Sequence, residues 1–194
     1  MNTLDKIKAL KSARIQNEQA ATAILTQGYS VDLAPIWEQL DELAHTSKAI
    51  WDKTHAGKKQ VRNSYNANFT GHASEMTALC YYQQCYQNVE APDITAYLQN
   101  QEETSKFDIL ADDVKIQVKG ISQLLSSKYQ VTPYNTNKYN EEGTDEICFV
   151  YIDKEAKRGY VYGRSTPAAM LADNTQEPND QGKQCFTAKN VLLK

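Results

Sequence analysis

Hydrophobic positions change their period midway along the chain. Leu4, Ile7, Leu10 and Ala13, then Ala20, Ala21, Ile24 and Leu25, recur every three or four residues, which predicts an amphipathic helix over residues 4–26 ended by Gly28. A second helix begins near Asp32 or Ala34, where Pro35 suits a first turn, and carries Ile36, Trp37, Leu40, Leu43 and Ala44 toward Ile50 and Trp51. The two helices are expected to pair, with both tryptophans in the core. Over residues 52–71 the apolar period disappears, and a third helix is expected over 73–88 with Met76, Leu79, Cys80, Tyr86 and Val89 on its apolar face. A short helix over 93–100 follows Pro92.

The period then drops to two. In residues 106–120, KFDILADDVKIQVKG, Phe107 and Ile109 alternate with Asp108 and Leu110, and Val114, Ile116 and Val118 alternate with Lys115, Gln117 and Lys119. This predicts a β-hairpin. If Asp112-Asp113 is a two-residue turn, Ala111 pairs with Val114 and Asp108 falls opposite Gln117. Residues 121–130 suit a helix after Gly120, and 131–143 suit a polar loop rich in Tyr and Asn. The run ICFVYI at 147–152 is the pattern of a central strand covered on both faces. Lys157-Arg158-Gly159 turns the chain into 160–164. Ser165 or Thr166, with Pro167, opens a last short helix through Leu171, and 173–183 has no pattern. The expected class is α/β in the α+β sense, a mixed sheet flanked by helices. Residues 1–70 form a helical N-terminal extension and 71–194 the core of one compact domain.

Composition narrows the class. With 194 residues, 41% hydrophobic and 23% charged, 8 Gly and 5 Pro, the chain is neither collagenous nor wholly disordered. No apolar run approaches the roughly 20 residues that cross a bilayer. The N-terminus is polar rather than signal-like, so the expected compartment is the cytoplasm. Cys80, Cys85, Cys148 and Cys185 form no C-x-x-C pair, and reduced, partly buried thiols are expected. The net charge of −3 argues against a uniformly positive nucleic-acid coat. The average conceals local clusters, however. Basic residues gather over 53–62 and 154–164, and acids over 32–42, at Asp112-Asp113 and over 141–146. The basic group at 154–164, with Lys154, Lys157, Arg158 and Arg164, is either a solvated hairpin tip or a second phosphate contact.

The candidate chemistry lies on the hairpin. Gln117 and Lys119 point from one face of one strand, and Asp108 points from the same face of its neighbour. A carboxylate, a carbonyl oxygen and an ammonium are thereby gathered within the spacing of two strands. Phosphodiester hydrolysis uses that combination: oxygen ligands for a hard divalent cation, with a lysine beside them to orient water and stabilise charge. Other chemistries find no anchor. His45, His55 and His72 form no H-x-x-x-H pair, and neither a phosphate-binding Gly-x-x-x-x-Gly-Lys loop nor a Gly-x-Ser-x-Gly elbow occurs. His72 and Glu75 share one helical turn, where the ordinary reading is a capping or surface histidine.

The segment resembles the PD-(D/E)XK nuclease superfamily, the restriction-endonuclease-like fold. Phe107-Asp108 stands where that family often has Pro-Asp, and Gln117-Val118-Lys119 where it has Asp/Glu-x-Lys. Glu75, on the helix before the hairpin, matches the family's additional glutamate. The resemblance spans about residues 73–164: helix, hairpin, helix, buried strand. Gln117 in place of an acid leaves one formal negative charge fewer and a weaker hold on metal.

The resemblance implies a Mg²⁺-dependent DNA endonuclease, in particular a type II restriction enzyme. Hydrolysis would leave a 5′-phosphate and a 3′-hydroxyl. Asp108, Gln117 and Glu75 are the implied Mg²⁺ ligands, and Lys119 completes the catalytic set. A homodimer on double-stranded DNA is implied because one such site cuts one strand, and a twofold protein matches a palindrome. Sequence reading is expected from two polar segments, through Lys58, Lys59, Arg62, Asn66 and Asn68 in one and Tyr134, Asn135 and Asn137 in the other. The rival readings are a restriction-like subunit without catalysis that binds DNA or a partner, a repair nuclease without sequence specificity, and an interaction protein whose hairpin is only structural.

Overall fold

A computed structural model of the chain describes residues 28–54, 64–91, 107–122, 131–173, 176–178 and 184–186. The expected helices over 4–26 and 93–100, and Lys58, Lys59 and Arg62, lie outside these residues. The chain forms strand β1 (Tyr29–Asp32), a 3-10 turn (Ala34–Ile36), helix α1 (Trp37–Thr54), helix α2 (Tyr65–Cys85) and strand β2 (Val89–Glu90). Strands β3 (Ile109–Ala111) and β4 (Val114–Ile121), helix α3 (Pro133–Glu141), and strands β5 (Glu146–Asp153) and β6 (Arg158–Ser165) follow. Helix α4 (Pro167–Asp173) and strands β7 (Gln176–Pro178) and β8 (Gln184–Phe186) end the described chain. The fold is mixed α/β, with a six-stranded sheet in the order β1-β6-β5-β4-β3-β2 and a separate β7-β8 pair. Pairings are antiparallel except β4 with β5.

The hairpin has the register its alternation predicts, with Ala111 opposite Val114 and Ile109 opposite Ile116. Asp112 adopts φ of 50°, a left-handed conformation that Asp tolerates. Its amide donates to the Asn88 carbonyl at 2.7 Å, and its Oδ1 accepts from the Asn88 backbone and side-chain nitrogens at 3.0 and 3.1 Å. The apolar run at 147–152 is the central strand. Cys148, Val150 and Ile152 join the core under α1 and α2, and Ile147, Phe149 and Tyr151 join a second core with Val131, Tyr162, Met170 and Phe186. Trp37 lies on the first core, its ring 4.7 Å from that of Phe69. All four cysteines are free thiols, with Cys148 and Cys185 buried.

Several elements depart from the sequence reading. Residues 29–32 are a strand, so the chain before residue 70 is not wholly helical: the alternation of Tyr29 and Val31 with Ser30 and Asp32 is a short edge strand against β6. The expected connector at 52–71 is helical at both ends. Helix α1 continues to Thr54, and α2 starts at Tyr65, eight residues before its expected start, so Glu75 sits mid-helix. The Ser64 hydroxyl caps it by accepting from the Ala67 amide at 3.1 Å. The buried face of α2 is Phe69, Thr70, Ala73, Ser74, Thr77, Ala78 and Tyr82, mostly small or hydroxylic residues that leave a weak hydrophobic period.

Residues 131–143 are likewise not a loop. Thr132 accepts from the Asn135 amide at 3.3 Å, Pro133 takes the first turn, and Thr136 is the one buried residue of α3, so no apolar stripe marks this helix. Ile121 still belongs to β4, the rest of the expected helix, residues 123–130, lies outside the described residues, and part of the patternless 173–183 is β7. Thr166 does open the last helix, accepting from the Ala169 amide at 3.0 Å. The basic tip between β5 and β6 is held rather than free. Lys154 Nζ donates to Asn66 Oδ1 at 3.1 Å and sits 4.9 Å from the Phe69 ring centroid, while Lys157 faces Trp37 at 5.8 Å.

Small residues let α2 approach the sheet. A Cβ on Gly159 would lie 2.0 Å from Thr77 Oγ1, and one on Gly120 would lie 2.1 Å from Ser74 Oγ. Gly159→Ala is therefore expected to cost about 1–3 kcal/mol by overpacking. A lowered urea midpoint with an unchanged slope checks this.

Candidate active site

The hairpin brings Asp108 and Gln117 together. Asp108 lies just outside β3, where its amide still donates to the Ile116 carbonyl at 2.9 Å. Its side chain turns back onto β4. Asp108 Oδ2 accepts from the Val118 amide at 2.7 Å and from Gln117 Nε2. The other carboxylate oxygen, Oδ1, takes part in neither bond, and the Gln117 amide, donating through nitrogen, keeps its own oxygen for another partner.

Gln117 and Lys119 share the sheet face of their parallel neighbours Ile147 and Phe149, the face covered by α3 and α4. Gln117 is buried. The Lys119 ammonium lies 4.9 Å from the Tyr139 ring centroid, and such a cation–π contact contributes about 0.5–2 kcal/mol depending on desolvation. Tyr139 escaped the sequence reading as a site residue because its segment was read as a loop. The legible signal was Thr132-Pro133, the same cap and first-turn pair that marks α4 at Thr166-Pro167.

Glu75 stands on α2, its side chain 37% exposed, and its charge acts on Asp108. The Asp108 carboxyl is pushed up to about 6, first by burial and then by repulsion from Glu75; Lys119, the Val118 amide and the Gln117 amide act in the opposite direction. Glu75, Lys119 and Gln117 thus each act on Asp108. The donors suit a hard cation: Asp108 Oδ1, the Gln117 oxygen and the Glu75 carboxylate are all oxygen, and a cation would relieve the repulsion that raises Asp108. Among the described residues no three His, Cys, Asp or Glu side chains form a metal-holding group; a cation here would rest on the Asp108 and Glu75 carboxylates, with the Gln117 oxygen or water completing its shell.

The expected DNA contacts do not converge. Asn66 and Asn68 lie at the start of α2, over one face of the sheet, with Asn66 engaged by Lys154. Tyr134, Asn135 and Asn137 lie on α3, over the other. Tyr134 is 76% exposed and Asn137 is exposed, whereas Asn135 is half-buried. No described helix is long and apolar enough to cross a membrane. Compared with family models, curated proteins and solved structures, the chain finds no match.

The raised Asp108 carboxyl has a defined consequence for stability. Its folded pKa of about 6 exceeds the roughly 3.9 of an unfolded aspartate, so the folded state binds the proton more tightly. The contribution to stability is fully present below about pH 4 and is lost as the pH rises through about 6. Asp108→Asn is expected to flatten the pH dependence of unfolding free energy across that window. Urea unfolding at pH 4.5 and 7 measures the slope, and an unchanged slope in the variant would assign the proton to another group.

Proposed function

We propose that this chain is a Mg²⁺-dependent endonuclease with a restriction-endonuclease-like core, acting on double-stranded DNA as a homodimer of the type II restriction class. The observation that carries the reading is the contact of Asp108 with Gln117, with Lys119 on the same strand face two residues on. The surrounding order supports it: a glutamate-bearing helix precedes the hairpin, and a helix and a buried parallel strand follow. Magnesium, when bound, would supply Lewis acidity at the phosphate and at water. Asp108, Gln117 and Glu75 would hold it. Lys119 orients the attacking water and stabilises charge on the non-bridging phosphate oxygens. Water oxygen joins phosphorus, the bond to the 3′ oxygen breaks, and that oxygen leaves as a hydroxyl. Tyr139 keeps the ammonium over the sheet face, and exposed Tyr134 and Asn137 on the same helix would meet DNA.

A specific feature favours a second reading. The Gln117 amide and the Val118 amide already satisfy one Asp108 oxygen without a cation. A restriction-like subunit that binds DNA or a partner without cutting would show the same arrangement.

Purified protein with long duplex DNA and Mg²⁺ separates the two. Discrete fragments are expected, with Lys119→Ala lowering the cleavage rate by about 10²–10³-fold; a smear would point to a nuclease without sequence specificity. Gln117→Glu is expected to tighten Mg²⁺ binding in a working nuclease. Absence of cleavage of any nucleic acid under varied metals, in both wild type and Gln117→Glu, would sink the enzyme reading.

A further inference from the structure

Behind Glu75 stands a second polar pair. His72, one turn earlier on α2, points Nδ1 at Glu75 Oε2 across 3.8 Å, and its Nε2 lies 2.9 Å from the Ser47 hydroxyl of α1. His72 Nδ1 is buried and has no hydrogen-bond partner among the described residues. A neutral imidazole carries one N–H and one lone pair, so the Ser47 contact sets what faces Glu75. If Nε2 carried the proton, the ring would turn a buried lone pair toward a carboxylate, two acceptors with no donor between them. If the Ser47 hydroxyl donates to Nε2, Nδ1 carries the proton and faces the carboxylate as a donor. Of the two neutral forms only the second is complementary. The 3.8 Å gap exceeds a hydrogen bond by less than about 1 Å, a distance that a small rotation of Glu75 closes.

We propose that His72 is the positioning residue for Glu75, held by the Ser47 hydroxyl in the Nδ1–H form, so that α1 sets the carboxylate that completes the cation site. The proposal rests on the nuclease reading above. It gives the unpartnered Nδ1–H its acceptor, and it gives α1 a part in the site. Hydrogen-bonded outer partners of metal-ligating side chains commonly carry about 10–100-fold of metal affinity.

The test is titration of the full chain with Mn²⁺, followed by the paramagnetic signal of the free ion, with thermal unfolding as a control. Glu75→Gln, His72→Phe and Ser47→Ala are each expected to weaken Mn²⁺ binding about tenfold. His72→Phe should add less than about threefold in the Glu75→Gln background, because both remove one interaction. His72→Asn, which keeps a donor near the Nδ1 position, and Ser47→Thr, which keeps the hydroxyl, should stay near wild type. The imidazole ¹⁵N spectrum should show the Nδ1–H tautomer. If Glu75→Gln weakens Mn²⁺ while His72→Phe and Ser47→Ala only lower the unfolding temperature, the positioning role is overturned and the nuclease reading stands. An Nε2–H tautomer in the wild type overturns it as well. Wild type that neither binds Mn²⁺ nor cuts DNA removes the nuclease reading and this inference with it.

Discussion

The constraint on which the structure depends is the two-sided burial of β5. Ile147, Phe149, Cys148, Val150 and Ile152 are fully buried, alternating between two cores, so the sheet needs cover on both faces. Helices α1 and α2 supply one cover, and α3, α4 and β8 the other. The parallel pairing of β4 with β5 requires a crossover, and α3 lies within it. At the start of that pairing the Lys115 amide donates to Asp145 Oδ2, and the Asp145 amide donates to the Lys115 carbonyl, both at 2.9 Å. With β4 locked beside β5, Gln117 and Lys119 must face the α3 side and Ile116 and Val118 the α2 side.

The approach of α2 to the sheet is a second consequence. Hydroxyl and methyl groups of Ser74 and Thr77 sit where Gly120 and Gly159 leave room. Closeness of this kind places Glu75 within electrostatic reach of Asp108 although the two belong to different layers. It also places His72 between Glu75 and α1. The candidate site is therefore assembled from the hairpin and a helix on each face, and Ser47 of a third helix is hydrogen-bonded to His72 beside Glu75.

Charge is organised at short range. The net value of −3 says little about a group in which one amide, one ammonium and one half-exposed carboxylate act on one buried carboxyl. Gln117 matters here because its amide is a donor. A carboxylate at that position would meet Asp108 as a like charge, whereas the amide ties Asp108 down.

The hairpin, its register, the buried strand and the helix opened by Thr166-Pro167 were determined by the sequence itself, because each depends on period-two alternation or on residues adjacent in the chain. Asp108, Gln117 and Lys119 were legible for the same reason: strand pleat alone puts them on one face. The start of α2 and the whole of α3 are not legible in the sequence because Ser, Thr, Ala and Asn carry little hydrophobic contrast, and only packing reveals which of them are buried. Strand β1 needed its partner β6, far along the chain, with Ser30 opposite Tyr160 and Asp32 opposite Arg158, to become a strand at all. Only the tertiary structure decided that Tyr139 lies beneath Lys119, that Glu75 repels Asp108, and that Ser47 meets His72. Those relations join elements far apart in sequence, and their distances are set by how closely helices pack on a sheet.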